Sequence, residues 1–457
     1  MTADAARVFA EYAASARFEE LADDVVERVR LCILDTLACA IAGSSTVEAA
    51  AVHRLVAGWA GTPQATVVVH GDRVPAYAAV FANASMVHQH DFDDTHDTAV
   101  CHPTSATLTA GLAAAELRGG VSGRELLTAV AVGNDLVARL ALSVRGTLWD
   151  YPWVRAPVMG IFGAALSAGM VLGLDADGLT EALGLALPQA AGTLQCLRSE
   201  TSSVRSLRDG LAYKDGMLAA LMAAEGLRGD SGTFDGEYGL FNAYMRGEYD
   251  RDTVVDALGE RSEAVNVSLK PWPSCRHTHG TLTALLDARE GVSPDEIEEI
   301  VIHVGDGNAR ICTPVGDVYQ GRMAYLCNLP WVVAAAAAYG AVPLWAFDER
   351  GFHDPAIRDA YGRVRVEHDP EQNRHGTIEP GHVVLRLRGG ETREEKADRA
   401  LGHNERPMTR ELVRKKARLC AESAATSFDV ERLAEAALAL DDLVDAGELA
   451  SLAVAAA

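Results

Sequence analysis

The chain has 457 residues, a formal net charge of −23, and 49% hydrophobic but only 6% aromatic residues. So negative a surface excludes nucleic acid and anionic membranes as partners, and an anionic ligand would need a local cluster of Arg, Lys or His. Ala dominates the apolar share, which favours close-packed helices over a β-sandwich.

The length allows about two to three domains. Eight cysteines, at 32, 39, 101, 196, 275, 312, 327 and 420, show neither CxxC pairs nor secretory spacing. They predict free thiols in a reducing cytoplasm. No basic segment followed by an apolar one opens the sequence, so no signal peptide is expected. The longest apolar run, Leu329 to Phe347, is interrupted by Pro330, Gly340 and Pro343 and predicts a buried core helix.

In chain order, residues 1–60 read as two helices, the second ending at Gly43. Helices are expected over 75–90, 103–118 and 123–144. A loop over Tyr151–Pro157 leads into a helix over Gly160–Leu174. Residues 194–209 read as a polar loop carrying Arg198, Arg205 and Arg208, with a helix following. Gly232–Gly239 is turn-rich. From Val265 the texture becomes strand-like, with alternation over 265–270, 298–305, 363–369 and 382–390, and the Ala-rich helix 331–342 lies among these stretches. From Thr409 the pattern is helical again. The fold class is therefore mainly α. A large helical domain, 1–265 completed by 405–457, carries an inserted α+β lid domain, 266–404.

The densest chemistry lies in Asn83–Glu116, where His88, His90, His96 and His102 interleave with Asp91, Asp93, Asp94 and Asp97. Three readings compete with a plain capped helix–loop–helix. Asp93-Asp94-Thr95-His96-Asp97 fits the DDxxD pattern of magnesium diphosphate sites, but the nearest second element, at Asn134-Asp135, has Ala138 where Ser or Thr is required. His90-Asp91 with a distant His and Asp would suit a metal-dependent hydrolase. Metal-free acid–base chemistry on a carboxylate is the third. If 88–97 is helical, Asp91 and Thr95 share a face beside His88. His102 stands at the mouth of a helix opened by Pro103, where free N–H groups favour an anion.

The stretch NASMVHQHDFDDTHDTAVCHPTSATLTAGLAAAE resembles the signature of the MmgE/PrpD family, which contains 2-methylcitrate dehydratase, cis-aconitate decarboxylase and iminodisuccinate epimerase. LCILDTLACAIAGS (31–44), AVGNDLVARLAL (131–142), GIFGAALSAGMVLGL (160–174), RSLRDGLAYKDGMLAALMAAEGLRG (205–229), KPWPSCRHTH (270–279) and ALGHNERPMTRELVRKKARL (400–419) follow in the family's order, so the resemblance covers nearly the whole chain. It implies a helical domain with an α+β lid, a homodimer, a di- or tricarboxylate substrate, and reaction beside a carboxylate with neither metal nor organic cofactor.

It also implies Asp91, Thr95 and His102 as functional positions. Asp91, His102 and His279 are the catalytic candidates, with Thr95, Arg155, Arg205, Arg208 and Lys270 as the residues to hold substrate. Departures stand beside these. Val154 follows Trp153 where many relatives have His, and Arg205 replaces Lys. Cys275 stands where some have His, Trp331 where some have Tyr, and Asn328 in place of a nearby Ser. Arg cannot shuttle protons but clamps carboxylates well, and Arg155 is the candidate to replace the missing His. The expected activity is a cofactor-free lyase, with dehydration of a 2-methylcitrate-like β-hydroxy acid first. Epimerisation or decarboxylation of an iminodisuccinate- or cis-aconitate-like acid is the alternative, and a metal-dependent hydrolase the more distant one.

Overall fold

The computed structural model describes residues 3–59, 61–198, 202–375 and 378–455, the side chains of Leu148, Arg374 and His375 aside. The chain is mainly α-helical. Among the described residues the buried apolar side chains form two large cores and a small cluster of Val154, Ala156 and Cys196. The larger draws on residues 5–269, Leu344 and 408–453, and the smaller on residues 282–397.

Most helices match the hydrophobic periodicity, and the differences have local causes. Residues 1–60 form three helices, Ala5–Ser15, Asp23–Gly43 and Val47–Ala57, not two. Asp4 and Thr46 each accept a backbone N–H at an N-terminus, so a new helix starts soon after Gly43. Arg155–Val171 begins ahead of the expected Gly160, because Pro157 sits in its first turn, where no N–H partner is missed. Val204–Ala224 takes in Arg205 and Arg208, which were expected in a loop. The part of that loop at 199–201 lies outside the described residues.

Helix Arg155–Val171 is central. It packs against Val204–Ala224, Pro103–Arg118 and Gly123–Ser143. Close approach depends on small side chains. A Cβ on Gly216 would lie 2.5 Å from the Ile161 carbonyl oxygen, and one on Gly210 would lie 2.4 Å from Ser85 Oγ. Gly210 thereby seats the arginine-bearing helix against Ala76–Val87. Gly123–Ser143 is long and apolar enough to cross a membrane, but its apolar window is 94% buried in this core.

The smaller core is built on a four-stranded sheet ordered Val364–His368, Ile297–Val304, Gly381–Leu387, Thr392–Ala397. The first pair is parallel, with Ile300 opposite Val364; the other pairs are antiparallel, with Ile300 opposite Leu385 and Gly381 opposite Ala397. Helices His279–Ala288 and Leu329–Tyr339 pack on this sheet. Thr392–Ala397 escaped the sequence reading because TREEKA is an exposed, charged edge strand with little apolar alternation.

Candidate active site

The His/Asp stretch is not one helix. After Ala76–Val87 a single 3₁₀ turn, His88–His90, ends at Asp91, whose φ of 48° is left-handed. Thr95–His96 then forms a short strand antiparallel to Val267–Ser268. The helical reading of 88–97 is thus overturned. A non-glycine residue in this conformation costs about 1–3 kcal/mol and needs its surroundings to hold it.

Two buried lysines do so. Lys270 Nζ donates to the Asp91 carbonyl at 2.7 Å and to its Oδ1 at 2.5 Å. Lys416 Nζ donates to the Phe92 carbonyl at 2.6 Å while paired with Asp35 at 2.6 Å. Consecutive carbonyls of the turn are therefore gripped from two distant segments.

Behind the turn lies a buried polar network. Asp93 accepts from His88 Nδ1 at 2.9 Å and faces His102 Nδ1 at 3.3 Å. Arg208 donates to His88 Nε2 at 3.3 Å and to Asp209 Oδ1 at 3.3 Å. His88, Asp93 and His102 lie close enough to hold a metal ion, but Asp93 already answers two imidazoles. Asp97 forms a bidentate pair with Arg276, both contacts 2.9 Å. Asn134 bonds Thr104 and Thr107, and Asp135 holds Arg139, so neither supplies a second metal element. The acidic residues of the DDxxD pattern therefore do not converge.

His102 is the N-cap residue of Pro103–Arg118. Its Nδ1 lies 2.6 Å from the Asp94 carbonyl and 3.3 Å from Thr95 Oγ1. A carbonyl only accepts, so Nδ1 carries the proton and Nε2 keeps its lone pair. Burial, reinforced by Lys270 and His88, pushes the imidazole below its ordinary value, against the pull of Asp93 and Asp91. The ring is neutral, with a basic nitrogen left over.

Asp91, Thr95, His102, Arg205 and Arg208 line one cavity of about 250 Å³, together with Cys275, His277 and Cys327 from the second half of the chain. Arg198 and Arg310 also line it, each over the ring of Trp149, at 5.9 and 5.2 Å. A cluster of cations thus concentrates where an anion could bind, inside a chain of net charge −23.

Burial pushes the Asp91 carboxyl up, but Lys270, His88, Arg205 and His102 more than offset it and hold it well below the usual range. Arg205 contacts Asp91 Oδ2 at 3.5 Å and donates to Cys327 Sγ. The Cys327 thiol is drawn down to about 7, chiefly by a hydrogen bond from Cys275, with Arg205 helping against burial. Cys275, the donor, is pushed well above its ordinary value. Asp91, Cys275 and Cys327 also lie within metal-holding distance of one another. With Lys270 and Arg205 already on Asp91, a further cation there would be repelled.

Three expected site residues do not reach the cavity. Arg155 is buried, donating to the Ala99 and Gly146 carbonyls, both at 3.1 Å. It acts as a strut and does not replace the His absent at Val154. His279 Nε2 is turned to Ser274 Oγ at 3.2 Å, behind the wall. Lys270 acts through Asp91. In place of His279 the structure presents His277, buried on the cavity wall with neither ring nitrogen hydrogen-bonded. Both stand in the CRHTH run, and sequence spacing could not decide which faces the cavity. Cys327, Trp149 and Arg310 carried no motif. Lys416 lay inside a family block, with nothing to show that it reaches Phe92.

The family model described as the MmgE/PrpD N-terminal domain matches residues 7–252, and that of the C-terminal domain matches 272–442. A cis-aconitate decarboxylase-like protein of Aspergillus oryzae is 27% identical, over 94% of this chain and 93% of its own. The cis-aconitate decarboxylase of Aspergillus terreus is 25% identical, covering 96% and 94%. The human cis-aconitate decarboxylase is 28% identical, covering 94% and 91%. With both halves matched in order, the chain belongs to the MmgE/PrpD family.

Proposed function

We propose that the chain is a lyase acting on a di- or tricarboxylic acid by proton transfer beside a carboxylate. The observation that carries this is His102, a neutral imidazole whose Nδ1 proton is committed to a carbonyl and whose Nε2 is the remaining base, set in a cavity with Arg205 and Arg208.

The leading reaction is dehydration of a 2-methylcitrate-like β-hydroxy acid. Nε2 of His102 takes the proton from the carbon beside a carboxylate. The electron pair moves onto that carboxylate as an enediolate, whose charge Arg205 and Arg208 stabilise. The pair then forms the C=C bond as the β C–O bond breaks, and the hydroxide leaves as water with a proton from the Cys275 thiol or His277. Asp91, held as a carboxylate by Lys270, keeps Arg205 aimed at the cavity. His279, expected as a catalytic group, gives way in this role to the groups that line the cavity.

Decarboxylation is the second reading, favoured by relatives named cis-aconitate decarboxylases. Incubating the protein with 2-methylcitrate, citrate, cis-aconitate and iminodisuccinate in D₂O, followed by proton NMR, tests both. Loss of a hydroxy acid to an alkene with deuterium exchange is expected. Carbon dioxide release from cis-aconitate would favour the second reading, and neither turnover nor exchange with any of the four would overturn the proposal. A homodimer in the cytoplasm, with the smaller core acting as a lid, completes it.

A further inference from the structure

Away from the cavity, strands Ile297–Val304 and Gly381–Leu387 run antiparallel with Ile302 opposite Val383. The next step sets His303 against His382, whose rings stack 4.1 Å apart. On the other flank of His303, in parallel register, is Glu367. Asp369 follows at the end of its strand.

The hydrogen bonds fix the tautomer of His382. Its Nε2 lies 2.8 Å from Glu394 Oε1, and a carboxylate only accepts, so Nε2 carries the proton. Nδ1 is then a lone pair. It is buried without a hydrogen-bond partner and faces Asp369 Oδ2 at 4.0 Å. In the neutral ring two acceptors then face each other, which is unfavourable unless a proton or a metal ion lies between them. Asp369 is oriented in advance, accepting from Gln372 Nε2 at 2.7 Å and Glu371 N at 3.0 Å. Zinc–nitrogen and zinc–oxygen bonds of about 2.0–2.2 Å span such a gap with a small shift. His303, Asp369 and His382 each offer one ligand atom within 4.8 Å of the others. Glu394 behind His382 is the outer carboxylate that orients metal-bound imidazoles.

We propose that His303, Asp369 and His382 form a binding site for a borderline divalent ion such as Zn²⁺, clamping three strands on the outer face of the sheet. Two imidazoles and one carboxylate suit such ions better than Mg²⁺ or Ca²⁺.

The test is zinc titration of the full, chelator-stripped chain by calorimetry, with cobalt absorption spectra as a second readout. One ion per chain is expected at this site, with affinity falling ~10–100-fold in Glu394→Gln, which removes the outer carboxylate, falling further in His382→Ala and His303→Ala, and a zinc-induced rise in melting temperature lost in the double His variant. Melting curves of the metal-free variants show that they fold. Binding that survives the double variant, or no binding at all, would overturn the proposal. In the first case the ion sits at one of the cavity clusters; in the second, His382 is an imidazolium between Asp369 and Glu394.

Discussion

Lys270 and Asp91 set the state of the site between them. The lysine is fully buried and bonds both the carbonyl and the carboxylate of a residue in left-handed conformation. Lys270→Met leaves that carboxylate buried with Arg205 alone, and removing one partner of such a pair costs about 3–5 kcal/mol. Urea unfolding should show this loss, with Asp91→Asn restoring part of it in the double variant. Full additivity would mean the two side chains do not act as a pair.

Asp94 makes a different prediction. Burial, with Asp93 and Asp35 adding to it and Thr104 partly opposing, pushes its carboxyl up to about 7. The folded value lies above the unfolded value of about 4, so its contribution to stability is complete below that and is lost as the pH rises to about 7. Asp94→Asn does not titrate. Its melting temperature should therefore gain on the parent between about pH 4 and pH 7 and keep a constant lead above. A constant offset across that range would contradict the assignment.

Cys327, faced by Cys275, Arg205 and Asp91, should react with iodoacetamide at a rate rising through pH 7. In Cys275→Ala, which removes the thiol donor, the rise should move to higher pH. Peptide mapping distinguishes Cys327 from Cys275 and Cys196, which also line the cavity.

At the scale of elements, the close approach of Val204–Ala224 to Ala76–Val87 places Arg205 and Arg208 over the Asp91 turn. Gly210→Ala would put a methyl 2.4 Å from Ser85 Oγ and 2.8 Å from the Phe81 carbonyl. Overpacking of this kind costs about 1–3 kcal/mol. Because the helix carries the arginines, KM should rise alongside the fall in melting temperature. An unchanged KM would separate the packing from the site.

The elements themselves were largely legible, since helices such as Pro103–Arg118 show strong periodicity and clear caps. The Asp91 turn was not. What bends it arrives from 179 residues away through Lys270, and Lys416 holds the next carbonyl from 324 residues away. Neither contact leaves a local pattern. A helix was the natural reading of Val87-His88-Gln89-His90, and it failed where tertiary hydrogen bonds outweighed local propensity.

At the scale of the molecule, the two cores meet at the cavity. The segments of the larger core contribute Asp91, Thr95, His102 and the arginine-bearing helix, and the stretch that leads into the smaller core, with Cys327 beside its Leu326, contributes Cys275, His277 and Cys327. The family and several site residues could be read from ordered motifs, because those motifs sit on the segments that surround this junction. The division of labour within the motifs could not. Arg155 and His279 looked chemical and lie off the cavity lining, whereas His277, not singled out by the sequence, lines the cavity. Which of two nearby histidines points inward depends on a single 3₁₀ turn, Arg276–Thr278.

The central claim is that His102 Nε2 moves a proton to or from carbon in a cavity built for a polycarboxylate. The most direct measurement is proton NMR of 2-methylcitrate and cis-aconitate with the protein in D₂O, comparing the parent chain with His102→Gln. The account predicts turnover with deuterium entering beside a carboxylate in the parent, and loss of both by ~10²–10⁴-fold in the variant, the usual contribution of a positioned acid or base. Exchange and turnover that persist at the parent rate in His102→Gln would contradict it.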